Sequence, residues 1–296
     1  MRVLVSGSSG LIGTALIDSL GDDGIDIVRL VRGPAKSESE LHWDPVRGEI
    51  DAIEGFDAVV HLAGAGIGDK RWSDKRKREI LGSRVDGTSL LAEALASAVE
   101  KPETFISASA IGFYGHRPDE PVDESSGPAD PPDFLSDVCL AWEEATWPAV
   151  DAGIRTVPIR TGLVLTAGGG ALGKLLLPFR LGLGGRLGSG DTWWSWISIT
   201  DHIRAIRHLI DTPVGGPVNL TAPHPVQSRD LTTALGKVLR RPTLMPVPRF
   251  GLELLLGREL ATALLFTSAR VLPERLQESG FEFTHNTVET ALRDVL

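Results

Sequence analysis

Gly7-Ser8-Ser9-Gly10-Leu11-Ile12-Gly13 spaces three glycines three residues apart, between a short apolar run and a helical pattern. This spacing suits a dinucleotide pyrophosphate. The first glycine permits a tight turn, and the second lets backbone approach the phosphates at a helix N-terminus. The third lets helix and strand pack closely. Ser9, Leu11 and Ile12 belong to the same candidate cradle. The plain alternative is a glycine-rich turn without a ligand, but the strand–turn–helix context favours the cofactor. The end of the second strand selects the dinucleotide. NAD binders usually carry an acid about 20 residues past the glycines to hold the ribose hydroxyls. Leu30-Val31-Arg32 stands there instead, and Asp26 comes too early. Arg32 can pair with a 2′-phosphate through a charge-assisted bond worth about 1.5–3 kcal/mol. The expected cofactor is therefore NADP(H), with Arg29 on the other face of the strand and Lys36 within reach to assist.

Two side chains occur once each. Tyr114 is the single tyrosine and Pro118 lies four residues on, so no Tyr-x-x-x-Lys pair exists in the chain. Cys139 is the single cysteine, which excludes an intrachain disulfide and a thiolate metal site. The seven histidines show no metal-ligand spacing, so no metal is expected.

The elements that must position these residues alternate. Apolar runs at 2–6, 25–31, 58–63, 104–108, 156–165 and 217–221 read as strands. Helical spacing appears at 11–20, 75–99, 133–152 and 201–211. The expected fold class is α/β, a Rossmann-like doubly wound parallel sheet with helices on both faces. The texture changes near residue 166, where glycines cluster through 190 and Trp193, Trp194 and Trp196 follow. An NADP-binding domain is expected over 1–165, completed by about 195–222. A smaller, mostly helical substrate side spans 166–194 and 223–296, with a C-terminal small domain at about 246–296. The segment 119–132 is rich in proline, aspartate and serine and is expected to form a surface loop.

The chain has 296 residues, 42% of them hydrophobic, enough for an ordinary core. Its formal charge of −9 argues against nucleic acid and against an anionic membrane surface. The N-terminus lacks a signal-peptide apolar core, so a soluble, cytoplasmic protein is expected. The expected partner is a small molecule, sugar-like or phosphorylated, with a homodimer left open.

The glycine turn, His61-Leu62-Ala63-Gly64, Ser107-Ala108-Ser109-Ala110 and Gly188-Ser189-Gly190 together resemble the extended short-chain dehydrogenase/reductases, which include sugar-nucleotide epimerases. The chain is most similar to an atypical, epimerase-like branch ending in a small C-terminal domain of unknown function. Asp69-Lys70-Arg71-Trp72, Val138-Cys139-Leu140-Ala141-Trp142-Glu143 and Arg270-Val271-Leu272-Pro273 carry that resemblance. It implies that Leu62, Ala63, Gly64, Ser107 and Arg160 border the cofactor. It also implies a Ser/Thr, Tyr and Lys active site, and here the pattern breaks. Leu135 stands where the tyrosine belongs, Cys139 where the lysine belongs and Arg84 where an asparagine is usual, while Ser109 keeps the serine place. Leucine has no titratable proton, and a thiol cannot hold lysine's fixed positive charge. The candidate catalytic residues are Ser109, Cys139 and Arg84, with Tyr114 and His61 nearby. Cys139 is balanced between a ligand-contacting thiol and a packed apolar residue. Candidate substrate contacts are Lys70, Arg71, Trp72, Tyr114, Arg186 and Trp194; for the tryptophans, filling a domain junction is an equal alternative. Two functions follow: an NADP-dependent oxidoreductase or epimerase with a non-standard proton donor, or a catalytically inactive NADP(H) sensor. A conventional sugar-nucleotide epimerase is the weakest of the three readings.

Overall fold

The first apolar run forms β1 (Arg2–Ser6) and the stretch after the glycines forms α1 (Leu11–Asp22) in the computed structural model, which describes residues 1–243 and 246–296. β2 (Asp26–Val31), β3 (Glu40–Asp44), β4 (Glu49–Ile50) and β5 (Ala58–His61) lead to the long helix α2 (Asp74–Ser97). The Ser73 side chain caps α2 by accepting from the Arg76 amide. β6 (Thr104–Ala110) and β7 (Arg117–Val122) precede α3 (Phe134–Glu144) and α4 (Trp147–Asp151). β8 (Arg155–Thr161), β9 (Leu163–Leu165), α5 (Gly170–Arg180), β10 (Trp193–Trp194), β11 (Trp196–Ser198), α6 (Ile199–Asp211) and β12 (Val218–Leu220) follow. The chain ends with β13 (Val226–Gln227), α7 (Ser228–Leu239), α8 (Arg249–Leu256), α9 (Arg258–Ala261), β14 (Ala269–Val271), α10 (Glu274–Glu278) and α11 (Val288–Val295).

Among the described residues the main sheet has eight strands, in the order β12-β8-β6-β5-β1-β2-β3-β4. All neighbours are parallel except β3 and β4. The chain order reverses between β1 and β5, the switch point where a doubly wound sheet opens a crevice at its carboxyl edge. One face packs on Leu16, Leu20, Ile203 and Ile206 of α1 and α6. The other packs on Leu91, Ala92 and Leu95 of α2. A further core joins Leu172, Leu176 and Phe179 of α5 to Trp194, Trp196 and the Leu231, Leu235 and Leu292 side chains of α7 and α11.

Three expectations change in detail. The helix expected over 133–152 breaks after Glu144, and α4 restarts with a proline in its first turn. The strand expected over 156–165 breaks at Gly162, and β9 leaves the sheet to pair with β11. A Cβ at Gly162 would lie 2.5 Å from the Ser195 carbonyl oxygen, so only glycine allows this close approach. The segment expected as a loop begins inside β7, which pairs in parallel with the distant β14.

Candidate functional site

The glycine turn is built by steric necessity. Gly7 adopts φ +67°, and a Cβ there would lie 2.6 Å from the Leu62 carbonyl carbon. A Cβ on Gly13 would lie 2.2 Å from the Gly7 carbonyl oxygen, and one on Gly10 at 3.1 Å. Gly10 is the N-cap of α1 and offers no side chain to its first turn. The amides of Leu11, Ile12 and Gly13 therefore point outward without intrahelical acceptors, a ready anion site. Ser9, Gly10 and Leu11 are exposed there. Gly168, Gly169 and Gly170 close over the turn, each within 3.7 Å of a Leu11 methyl if given a Cβ.

Arg32 is exposed just beyond β2, whereas Arg29 is held by Glu40 at 2.8 Å. Ala65, Pro45, Val46 and Ser83 line a groove of about 560 Å³ beside the β5 loop and α2. Leu62 and Ala63 are half-buried and Gly64 is exposed along this edge.

His61 is not at the cleft surface. It is wholly buried beneath the turn, with Nδ1 2.6 Å from Ser6 Oγ and Trp43 edge-on at 5.7 Å. Ser6 Oγ also accepts from the Leu62 amide, and His61 Nε2 is buried with no partner among the described residues. Burial pulls the His61 pKa down to about 4, so the ring is neutral near pH 7 and ties β1 to β5. Arg84 is likewise buried. Its guanidinium donates to the Ala65 and Ile80 carbonyls at 3.0 and 3.1 Å and stacks 4.8 Å from the Trp142 ring. Burial lowers its pKa to about 10, still charged at neutral pH. It stands beneath the β5 loop as a brace, a placement that does not support a proton-transfer role.

The other end of the crevice is closed by a polar network that satisfies itself. Ser109 Oγ donates to Glu143 Oε1 at 2.7 Å. Arg160 grips Glu143 bidentately, at 2.8 Å through both Nε and Nη2. Arg160 Nη1 donates to Tyr114 OH at 3.0 Å, and that hydroxyl donates to Asn219 Oδ1 at 2.8 Å. The Phe113 ring lies 3.4 Å from the guanidinium carbon. Tyr114 is fully buried, the placement of a packed ring, which does not support a substrate contact; burial, partly offset by Arg160, raises its pKa. Arg160 serves Glu143, and its placement does not support a cofactor role. Ser107 is buried and its hydroxyl has no partner among the described residues.

Cys139 lies in an apolar cluster with Phe113, Val122 and Val271, on the helix that also carries Glu143. Burial, with the Glu143 charge adding to it, pushes the thiol up to about 12. A thiol so placed is not a thiolate at neutral pH, and it behaves as a small apolar residue. Gly112 packs against it, with an added Cβ 3.6 Å from its sulfur.

The substrate-side candidates divide. Arg71 donates from Nε to the Leu255 carbonyl at 3.0 Å and from Nη2 to the Leu254 carbonyl, so it caps the end of α8 and is not free for a ligand. Trp72 packs edge-on to Phe134 at 4.9 Å, and Lys77 lies over the Phe134 ring at 5.1 Å. Trp194 is buried in the core it shares with α5, α7 and α11, which favours the junction-filling alternative. Lys70 and Arg186 are exposed. Glu143, Asn219 and Phe134 carry no local sequence signal for these contacts; nothing in the motif around Glu143 shows that β8 brings Arg160 to it.

The NAD dependent epimerase/dehydratase family matches residues 3–221, and a domain of unknown function (DUF1731) matches residues 247–295. The chain belongs to the NAD dependent epimerase/dehydratase family. An epimerase family protein of Mycobacterium bovis is 43% identical, over 98% of this chain and 96% of its own. The crystal structure of human epimerase family protein SDR39U1 with NADPH superposes with a TM-score of 0.92 at 34% identity, covering 100% of this chain and 99% of that one. The nucleoside-diphosphate sugar epimerase from Corynebacterium glutamicum gives a TM-score of 0.80 at 36% identity, covering 100% of this chain and 58% of that one.

Proposed function

We propose that this chain is an NADP(H)-binding protein of the epimerase family that works without the Tyr/Lys proton relay. The observation that carries it is the cradle: Gly7 and Gly13 have no room for a Cβ, the first turn of α1 has no side-chain cap, and Arg32 is exposed just beyond β2. The human relative crystallised with NADPH supports the choice of dinucleotide. The α1 N-terminus would hold the pyrophosphate, Arg32 the 2′-phosphate, and the groove beside Pro45 and Ser83 the adenosine. When bound, the nicotinamide supplies hydride chemistry at the Ser109 end. Titration with NADPH and NADH tests this directly. Arg32→Ala should cost NADPH roughly ten- to a hundredfold in affinity and leave NADH nearly unchanged. Equal losses for both dinucleotides would break the assignment.

On the reaction, the oxidoreductase or epimerase reading needs a proton donor beside the nicotinamide. Ser109 is the hydroxyl in that position, and its proton is committed to Glu143. The burial of Cys139 and Tyr114 therefore favours the second reading, a sensor that holds NADP(H) without turnover. Substrate-dependent loss of the bound NADPH signal would reinstate the enzyme.

A further inference from the structure

Six large apolar side chains stand in solvent on and beside α5 and α8. Leu177 lies on α5, Leu181 caps its C-terminal end one turn later, Leu183 follows, and Phe250, Leu254 and Leu255 lie on α8; all are 61–75% exposed. α5 buries one face through Leu172, Leu176 and Phe179, whereas α8 buries no residue fully and rests on the same core through the half-buried Leu252. The exposed residues are thus a further apolar stripe on or beside each helix. The two stripes are neighbours across loop 66–72: Lys174 of α5 donates to the Gly68 carbonyl at 2.7 Å, and Arg71 reaches the carbonyls of Leu254 and Leu255. Arg241 donates to the Arg180 carbonyl at 2.9 Å, which ties the approach to α8 to the end of α5.

The charge around these stripes runs against that of the chain. Residues 166–190 carry Lys174, Arg180 and Arg186 and no acid, in a protein of formal charge −9. Residues 236–258 carry Lys237, Arg240, Arg241, Arg249 and Arg258; Lys237 pairs with Glu289 and Arg249 with Glu253, each at 2.7 Å, which leaves Arg240, Arg241 and Arg258 without a carboxylate partner among the described residues. Apolar side chains ringed by cations match a bilayer interface, where the chains enter the acyl boundary and the cations meet phosphates. The overall negative charge does not decide the matter, because fields beyond a Debye length of about 8 Å are screened at physiological salt. A second copy on the same face would set one cationic rim against another.

We propose that the α5–α8 face docks on an anionic lipid surface. This surface is separate from the dinucleotide cradle, so the two proposals fail independently. The test is flotation of the purified full-length chain with phosphatidylcholine vesicles, with and without phosphatidylglycerol. Anionic vesicles should bind at least about tenfold more tightly than neutral ones and release the protein at high salt. Leu254→Asp, and separately the pair Arg180→Glu and Arg258→Glu, should each weaken binding about tenfold or more while the thermal midpoint holds. The proposal is overturned if anionic vesicles fail to float the protein, or if Leu254→Asp floats as well as the parent. A dimer in light scattering that Leu254→Asp dissociates would assign the face to a second copy and also overturn it.

Discussion

The two ends of the crevice are built on opposite principles. At the glycine turn, backbone amides are left without partners and one arginine is exposed beside them. At the Ser109 end, each polar group of the network already has a protein partner, from Ser109 through Glu143, Arg160 and Tyr114 to Asn219. Unpaired donors can receive a ligand, whereas satisfied ones would have to break a bond first. A family resemblance therefore carries further for binding than for reaction. Binding relies on backbone geometry, which survives many substitutions. Proton transfer relies on particular side chains, and Leu135 and Cys139 cannot supply them.

The sharpest way to break this contrast is to unbalance the closed end. Glu143→Ala should destabilise the fold by about 3–5 kcal/mol, because it leaves the buried Arg160 charge without its carboxylate. Urea unfolding measures it, and a cost under about 1 kcal/mol would mean the pair is solvated in solution.

Acid should reach both ends through their buried histidines. Burial pulls His61 to about 4 and His202, which bonds Thr161 Oγ1 at 3.1 Å, to about 3. An unfolded histidine takes its proton near pH 6.5, before either folded ring can. Stability is thus full above about pH 6.5 and falls as pH drops from there toward about 4, by up to about 1.4 kcal/mol per pH unit for each ring. Urea midpoints at several pH values follow this, and His61→Asn should flatten part of the slope. A parent profile flat between neutral pH and about pH 5 would show that the rings are hydrated.

The open end is probed by Gly13→Ala. The added methyl has no room against the Gly7 carbonyl, so it should cost about 1–3 kcal/mol and remove NADPH binding together. Retained affinity would show that the turn yields, and the cradle would lose its steric basis. The smallest effect is expected at Cys139. Native protein at neutral pH should resist alkylation by iodoacetamide until it is unfolded, and Cys139→Ala should shift NADPH affinity less than about threefold. Rapid alkylation of the native chain would restore the thiol as a site residue.

Much of the open end was legible in the sequence. A turn that needs glycine at Gly7 and Gly13 writes its geometry into residue type, since no other side chain fits at either. The end of β2 was legible for the same local reason: strand periodicity places Arg32 beyond the last paired residue. The closed end was not. Ser109, Glu143, Arg160 and Asn219 sit on β6, α3, β8 and β12, and only the order of strands brings them together. Arg71 looked free for a substrate because its acceptors lie about 180 residues away at the end of α8.

The sequence by itself determined the dinucleotide turn, the alternating elements and the loss of the Tyr/Lys pair, because each depends on neighbours within a few residues. Only the tertiary structure decided which polar groups remain unpaired. Burial and hydrogen bonding between distant segments turned Cys139, Tyr114 and Arg160 from candidates for chemistry into parts of the frame.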